Sequence, residues 1–315
     1  MTETDAEARP LRIVIVDDML PNALLAEAVL NRLGRVQVDI HDDPNLGLEA
    51  CLQAPPDLIL LDLVMPGLDG LTFLHRFRSA MGEDFIPVIM VTGDPKERTL
   101  AEAMAIGATD FLRKPWNETE LEARARNMLS LRRSHLALRR KTEELRLLAT
   151  TDSLTGVLNR RAFGAAVDAE LDRTRRYDRS ACLMMLDIDF FKKINDTYDH
   201  AMGDEALRVF ASHCQSQLRE VDLFGRLGGE EFAGFLPETS SEEALVVANR
   251  LRMALKTRAV VDGSRTVFMT VSIGLAQIGI GDTLDDLLRR ADDALYLSKK
   301  DGRDRVTLAP YTQVR

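Results

Sequence analysis

Cysteine is scarce in this chain: three residues, Cys51, Cys182 and Cys214, far apart and without a CxxC pair. That excludes a disulfide scaffold, and their apolar or helical surroundings predict buried thiols in a reducing compartment. No apolar run approaches the ~20 residues needed to span a bilayer. The polar, acidic start MTETDAEARP is unlike a signal peptide. The expectation is a cytoplasmic chain with no membrane contact. Basic charge is also short, with 41 Lys and Arg against 50 Asp and Glu and a net charge of -9. A general nucleic-acid binder is usually basic, and no helix-turn-helix pattern is present. The 45% hydrophobic content and 315-residue length are enough to fill two cores.

Four short aliphatic runs in the first 127 residues share one design. LRIVIVDD ends in Asp17 and Asp18, DLILLDLV carries Asp62, IPVIMVTGD delivers Thr92 and ATDFLRKP delivers Lys114. Each is too brief for a helix and rich in Ile, Val and Leu, as suits a strand buried on both faces. VQVDIHDD adds a fifth, and helical patterns such as PNALLAEAVLNRLG lie between them. Alternating strands and helices predict a doubly wound parallel sheet, with ligands at the carboxyl ends of its strands. The polar residues fall at that edge. Three carboxylates suit a hard cation such as Mg²⁺, and the added ammonium and hydroxyl suit an incoming phosphoryl group. Taken singly, Asp18 could cap a helix and Lys114 could sit in water.

In order and spacing, VDD, LLDLVMPGLDG, VTGD and FLRKP make residues 11–127 resemble a response-regulator receiver domain of flavodoxin-like fold. The resemblance implies that Asp62 accepts a phosphoryl group from a cognate histidine kinase. It also implies that Asp17, Asp18 and Asp62 hold one Mg²⁺, that Thr92 and Lys114 contact phosphoryl oxygens, and that Phe111 is the aromatic switch. Pro115 follows the lysine where that family often has a cis peptide bond.

Residues 1–10 read as a disordered start and 310–315 as a tail. Between the domains, 128–149 lacks glycine and proline and is rich in helix formers. Leu131, Leu138 and Leu145 recur at seven-residue intervals, with Met128, His135 and Thr142 three residues before each. That is a short, weak coiled-coil seam, as against a monomeric surface helix. Arg132, Arg133, Arg139, Arg140 and Lys141 are expected to form a solvated face, and His135 to lie in the seam.

In the second half, ACLMMLDIDFFKKINDT predicts a buried strand ending at Asp187, Ile188 and Asp189, then a helix whose first amides can face a phosphate. FGRLGGEEFAGF alone is compatible with a solvated hairpin turn, or with a tight turn bringing carboxylates to a metal or phosphate. Placed beside the first strand, it would bring Glu230 and Glu231 towards Asp187, as two-metal phosphoryl or nucleotidyl transfer requires. Lys192 is placed to meet phosphate oxygens, with Lys299 and Arg303 as a second basic pair. Asn195 and Asp204 flank a turn; an amide with a carboxylate suits a guanine edge.

With DSLTGVLNRRAF, DIDFFKKINDT, GGEEF and VSIGLA, residues 150–309 resemble the GGDEF family of diguanylate cyclases. The resemblance implies an α+β, ferredoxin-like palm joined by the long helix to the receiver, and two Mg²⁺ ions per active site. Asp187, Glu231 and the Ile188 carbonyl would bind metal, with Glu230 a base or second-metal group. Asn195 and Asp204 would read guanine beside Phe190 and Phe191, and Lys192, Lys299 and Arg303 would hold phosphates. REVD supplies Arg219 and Asp222 at the spacing of that family's inhibitory product site, which Arg250 would complete. The chain departs from the family at Asp199, where glycine is usual, and at Asp304, where asparagine is common. Asp199 is expected to alter the loop slightly and add negative charge near the nucleotide.

The expected protein is a phosphorylation-activated cyclase that joins two GTP into cyclic di-GMP across a homodimer, inhibited by its product. Two rivals stand beside it. A catalytically silent receptor for cyclic di-GMP would have no need of Asp187, Glu230 and Glu231. A cyclase acting on ATP or mixed nucleotides is opposed by Asp204.

Overall fold

The computed structural model describes residues 9–82, 84–93, 97–177, 179–263 and 265–310. The expected disordered start and the tail lie outside these residues, save for Arg9, Pro10 and Pro310. The chain divides into two compact units, Met1–Thr142 and Glu143–Arg315.

In the first unit, the aliphatic runs become β1 (Leu11–Val16), β2 (Val36–His41), β3 (Leu58–Asp62), β4 (Val88–Thr92) and β5 (Asp110–Arg113). They form one parallel sheet in the order β2-β1-β3-β4-β5. β3 and β4 are buried throughout, as continuous aliphatic runs covered on both faces should be. Helices α1 (Leu20–Leu30) and α5 (Glu118–Thr150) cover one face through Ala26, Val29, Leu121, Ala125 and Leu129. On the other face, α2 (Pro44–Gln53), α3 (Gly70–Met81) and α4 (Glu97–Ile106) supply Leu48, Phe73, Phe77 and Ala103. The strand order reverses between β1 and β3, so their carboxyl ends flank the crevice where such sheets bind ligands.

Helix α5 contains the predicted connector but begins at Glu118, inside the first unit. Its buried stripe runs Leu121, Ala125, Leu129 and then Arg132. Arg132 is therefore not part of a solvated face. It is 5% exposed, donates to Asp84 at 2.9 Å and lies 3.8 Å from Asp57, itself wholly buried. Asp57 and Asp84 lie in the segments leading into β3 and β4, where Arg9 and Arg139 also pair with them, and the stripe's spacing delivers the buried cation between them. His135 also leaves the expected seam, with its ring 5.3 Å from that of Phe85. Leu131, Leu138 and Leu145 are 46%, 67% and 55% exposed, an apolar stripe along one side of the helix.

The second unit is built on a six-stranded sheet in the order β13-β12-β7-β9-β8-β6. The strands are β6 (Leu158–Asn159), β7 (Ala181–Ile188), β8 (Leu223–Gly228), β9 (Glu231–Pro237), β12 (Val271–Gln277) and β13 (Val306–Leu308). β10 (Ala259–Asp262) and β11 (Arg265–Phe268) pair separately as a hairpin. β7 lies between β9 and β12, antiparallel to both, and its eight residues are all buried. With α7 (Phe191–Tyr198), α8 (His200–Gln217) and α9 (Ser241–Lys256), the order β12-β7-β9-β8 is a ferredoxin-like arrangement. One face packs on Phe210, Leu207, Ala248 and Leu251 of α8 and α9. The other packs on α6 (Arg160–Arg176) and α10 (Leu284–Lys300) through Phe163, Val167, Ala291 and Leu295.

Candidate functional site

At the crevice of the first unit, Asp17, Asp18 and Asp62 each offer a carboxylate oxygen within 4.8 Å of the others. Three hard oxygen donors this close fit a divalent cation. Lys114 Nζ lies 2.9 Å from Asp62 and 3.0 Å from Asp17, and Thr92 is buried at the end of β4. Burial pushes the Asp62 carboxyl above its ordinary range; Lys114 opposes this and does not cancel it. Phe111 is half-buried against the α3–α4 side of the core, and the Lys114–Pro115 bond is cis. Asp17, Asp18, Asp62 and Lys114 converge, and Thr92 stands at the end of the neighbouring strand.

In the second unit, Asp187 is 6% exposed near the end of β7 and lies opposite Glu231 in the β7–β9 register. Ile188 closes the strand, and Phe190, at φ 58°, turns the chain into α7. The hairpin turn falls at Gly229 and Glu230, and Gly228 and Gly229 have φ values of 154° and 52°. Those angles suit glycine, which explains the doublet before the acids. Asp187 titrates at about 6: burial raises it most, Glu230 and Glu231 add to this, and Lys299 opposes it. A cation would relieve that repulsion, so the donor set fits a metal. Lys299 Nζ sits 2.7 Å from Asp187, so the expected phosphate contact is here an ion-pair partner of the acid. Among the described residues, these acids are not drawn together as tightly as those of the first unit.

Around the acids, Lys192 is exposed on α7, Phe191 is buried, and Phe190 is exposed beneath the Arg303 guanidinium, 4.5 Å from its ring. Asn195 and Asp204 are both half-buried, on the successive helices α7 and α8. Asn195 lodges against Gly203, where an added Cβ would meet its Oδ1 at 1.9 Å. Arg219 and Asp222 form a closed turn in which the Arg219 N–H donates to the Asp222 carboxylate at 2.8 Å. Both line a cavity of about 330 Å³, while Arg250 donates to Gln217 O.

Both departures are compensated. Asp199 has φ 96° and ψ 171°, a region that is nearly glycine-only and costs about 1–3 kcal/mol for other residues. Its carboxylate caps α8 through Ala201 and Met202 and pairs with Arg265 at 2.8 Å. The expected added charge is thus partnered. For Asp304, burial raises the carboxyl, but Lys256 and Arg252, each at 2.8 Å, outweigh it and leave it below its ordinary range.

Four further residues organise the site: Asp189, legible only as an acid at a strand end, and Arg226, Gly203 and Arg265, to which the sequence reading gives no role. Asp189 is buried and accepts from Thr270 and Ser272 hydroxyls at 2.7 Å and from Asp304 N–H at 3.0 Å. It ties the end of β7 to β12 and to the loop after α10. Arg226 donates to Gly229 O at 2.7 and 2.9 Å and to Asp152 at 3.0 Å, bracing the turn that carries the acids. Gly203 and Arg265 complete the set. A lone arginine two residues before the glycine doublet was the available signal for Arg226; the others depend on distant partners.

The description "Diguanylate cyclase, GGDEF domain" belongs to a family model matching residues 149–305, and "Response regulator receiver domain" to one matching 13–126. Response regulator PleD of Caulobacter vibrioides is 37% identical over 300 residues, 94% of this chain and 65% of that protein. Diguanylate cyclase DgcM of Escherichia coli K12 is 40% identical over 171 residues, 54% of this chain and 41% of that protein. The chain thus spans 65% or less of the length of these relatives. A solved structure of the coiled coil and GGDEF domain of DgcB from Caulobacter crescentus, in complex with c-di-GMP, matches with TM-score 0.55 and 34% identity. That match covers 60% of this chain and 99% of the DgcB chain.

Proposed function

The chain belongs to the response regulators that carry a GGDEF domain, and on that premise we propose that it is a phosphorylation-controlled diguanylate cyclase. Two GTP give cyclic di-GMP and two pyrophosphates. In each half-reaction, a ribose 3′-oxygen bonds to the α-phosphorus of the opposite GTP, and the bond from that phosphorus to the departing pyrophosphate breaks. The carrying observation is Asp187 facing Glu231 across β7 and β9, at the strand end from which α7 leads off.

Asp187, the Ile188 carbonyl and Glu231 would hold Mg²⁺, with Glu230 beside a second ion; bound there, the metal would neutralise phosphate charge and acidify the attacking hydroxyl. Glu230, half-buried at the turn, is placed to take the hydroxyl proton. Asn195 and Asp204 fix the guanine, the carboxylate accepting from N1–H and N2–H. Lys192 and Arg303 meet phosphate oxygens, and Lys299 exchanges Asp187 for phosphate when nucleotide enters.

Each domain holds one GTP, so the active species is a homodimer, and the exposed leucine stripe of α5 supports pairing there. A histidine kinase phosphorylates Asp62 in the cytoplasm, beside Mg²⁺ held by Asp17, Asp18 and Asp62, and Thr92, Lys114 and Phe111 respond to the new oxygens. Phosphorylation then biases how the paired helices present the two cyclase domains, by differing in affinity for the two arrangements. Cyclic di-GMP binds Arg219 and Arg250, whose guanidinium forks suit phosphates, together with Asp222, and holds the domains apart.

The test is turnover of GTP with Mg²⁺, with and without beryllium fluoride as a phosphoryl mimic, read by chromatography. Cyclic di-GMP forming faster with the mimic is expected, and Glu230→Gln should abolish it. Turnover indifferent to the mimic would remove the switch from the proposal. No product in either condition, with cyclic di-GMP still bound, would favour the silent receptor.

A further inference from the structure

Residue 199 is a joint. Asp199 N–H donates to Asn195 O at 2.9 Å, closing α7, while its carboxylate accepts from Ala201 and Met202 N–H at 3.0 and 3.2 Å, opening α8. A single residue in a glycine-like conformation therefore sets the angle between two helices. Asn195 lies on the first helix and Asp204 on the second, with Asn195 Oδ1 seated in the space left by Gly203, the neighbour of Asp204. Any change at the joint moves one reader relative to the other.

One guanidinium spans this joint. Arg265, on β11, donates to Tyr198 O at 2.6 Å and to Asp199 Oδ2 at 2.8 Å through Nη1, while Nη2 reaches Asp262 on its own hairpin. The contacts take in the last residue of α7, the joint itself and the separate β10–β11 hairpin. They touch neither β7 nor the β8–β9 turn, where Asp187, Glu230 and Glu231 lie.

We propose that Arg265 is a positioning residue for guanine: by clamping the α7–α8 joint it holds Asn195 and Asp204 at the spacing one base edge requires. The inference rests on the guanine-reading role given to that pair above. Arg265 acts on affinity and leaves the chemical step alone. It is needed because an aspartate, not a glycine, occupies the joint.

The experiment uses the 315-residue chain with Mg²⁺, measuring KM and kcat for GTP and the calorimetric Kd of 3′-deoxy-GTP, which lacks the attacking hydroxyl. Arg265→Ala should raise KM and Kd about five- to tenfold with kcat within about twofold, the loss expected of a hydrogen-bonding clamp whose charge is weakened by solvent exposure. Arg265→Lys should recover only part, since it keeps the charge but not the fork. In the D199G background the same alanine change should cost less than about threefold, because glycine holds the joint unaided. Should Arg265→Ala not fold, Arg265→Gln carries the same comparison.

Unchanged KM and Kd in Arg265→Ala, a loss confined to kcat, or an undiminished loss in the D199G background would each overturn the proposal. Asn195→Ala separates this failure from that of the reading beneath it. If Asn195→Ala binds 3′-deoxy-GTP as the wild type does, the guanine assignment falls and this inference with it. If it binds weakly while Arg265→Ala binds normally, only the inference falls.

Discussion

Replacing Gly203 by alanine would put a methyl carbon 1.9 Å from Asn195 Oδ1, where something must move. The next atoms are Asn195 Cγ at 3.0 Å and Phe191 Cζ at 3.4 Å, so the asparagine side chain yields first. Rotating it off its preferred conformer costs about 0.5–1.5 kcal/mol. Alanine in a helix interior recovers about 1 kcal/mol over glycine. The two nearly cancel, so the thermal midpoint should move by no more than about 2–4 °C. Affinity has no such compensation. On the proposed guanine-reading role of Asn195, withdrawing the amide leaves groups unpaired at about 1–3 kcal/mol, or about 5- to 150-fold in KM. Steady-state turnover with a thermal melt on the same sample reads both quantities. Gly203→Ala and Asn195→Ala together should be no worse than Asn195→Ala alone, because they remove one interaction. An unchanged KM, or additive losses, would refute the placement of Asn195 at the base.

In the metal-free protein, Asp187 titrates at about 6 against an ordinary 3.8. The folded state then binds this proton more tightly than the unfolded state. Its contribution to stability is full below 3.8 and falls as pH rises to 6, by about 3 kcal/mol in all. Urea unfolding at pH 4 to 7 should show Asp187→Asn losing this part of the pH dependence; identical profiles would rule it out. Arg132→Leu should destabilise the first unit by about 1–3 kcal/mol in the same assay, because Asp84 loses its hydrogen-bonded buried cation while Arg139 stays on Asp84 and Arg9 on Asp57. A loss under about 1 kcal/mol would place Arg132 among ordinary surface pairs.

The first sheet and β7 were legible because β1, β3, β4 and β7 are continuous aliphatic runs, as burial on both faces demands, whereas β6, β8 and β13 carry no such run. The receiver acids were legible for a related reason: each ends such a run, and parallel strands bring their carboxyl ends to one edge. The hairpin at Gly229 followed from a local rule, since positive φ selects glycine regardless of what lies opposite.

The solvated face assigned to Arg132 was wrong because its environment is set by Asp57 and Asp84, far back in the chain, and no helical pattern reports them. Asp187 and Asp189 read alike as acids ending a strand. One lies opposite Glu231, and the other is used up by Thr270, Ser272 and Asp304. Asp199 adds a charge in the sequence, and the fold pairs it with Arg265.

Propensity and periodicity act over a few neighbours, so the residues alone specify the aliphatic strands, the glycine-marked turn and the acids standing at the strand ends. Which of those charges meet a partner and which remain for a ligand is set by the packing of distant segments. A charge's pairing and burial depend on groups brought from distant segments, and those set its energy.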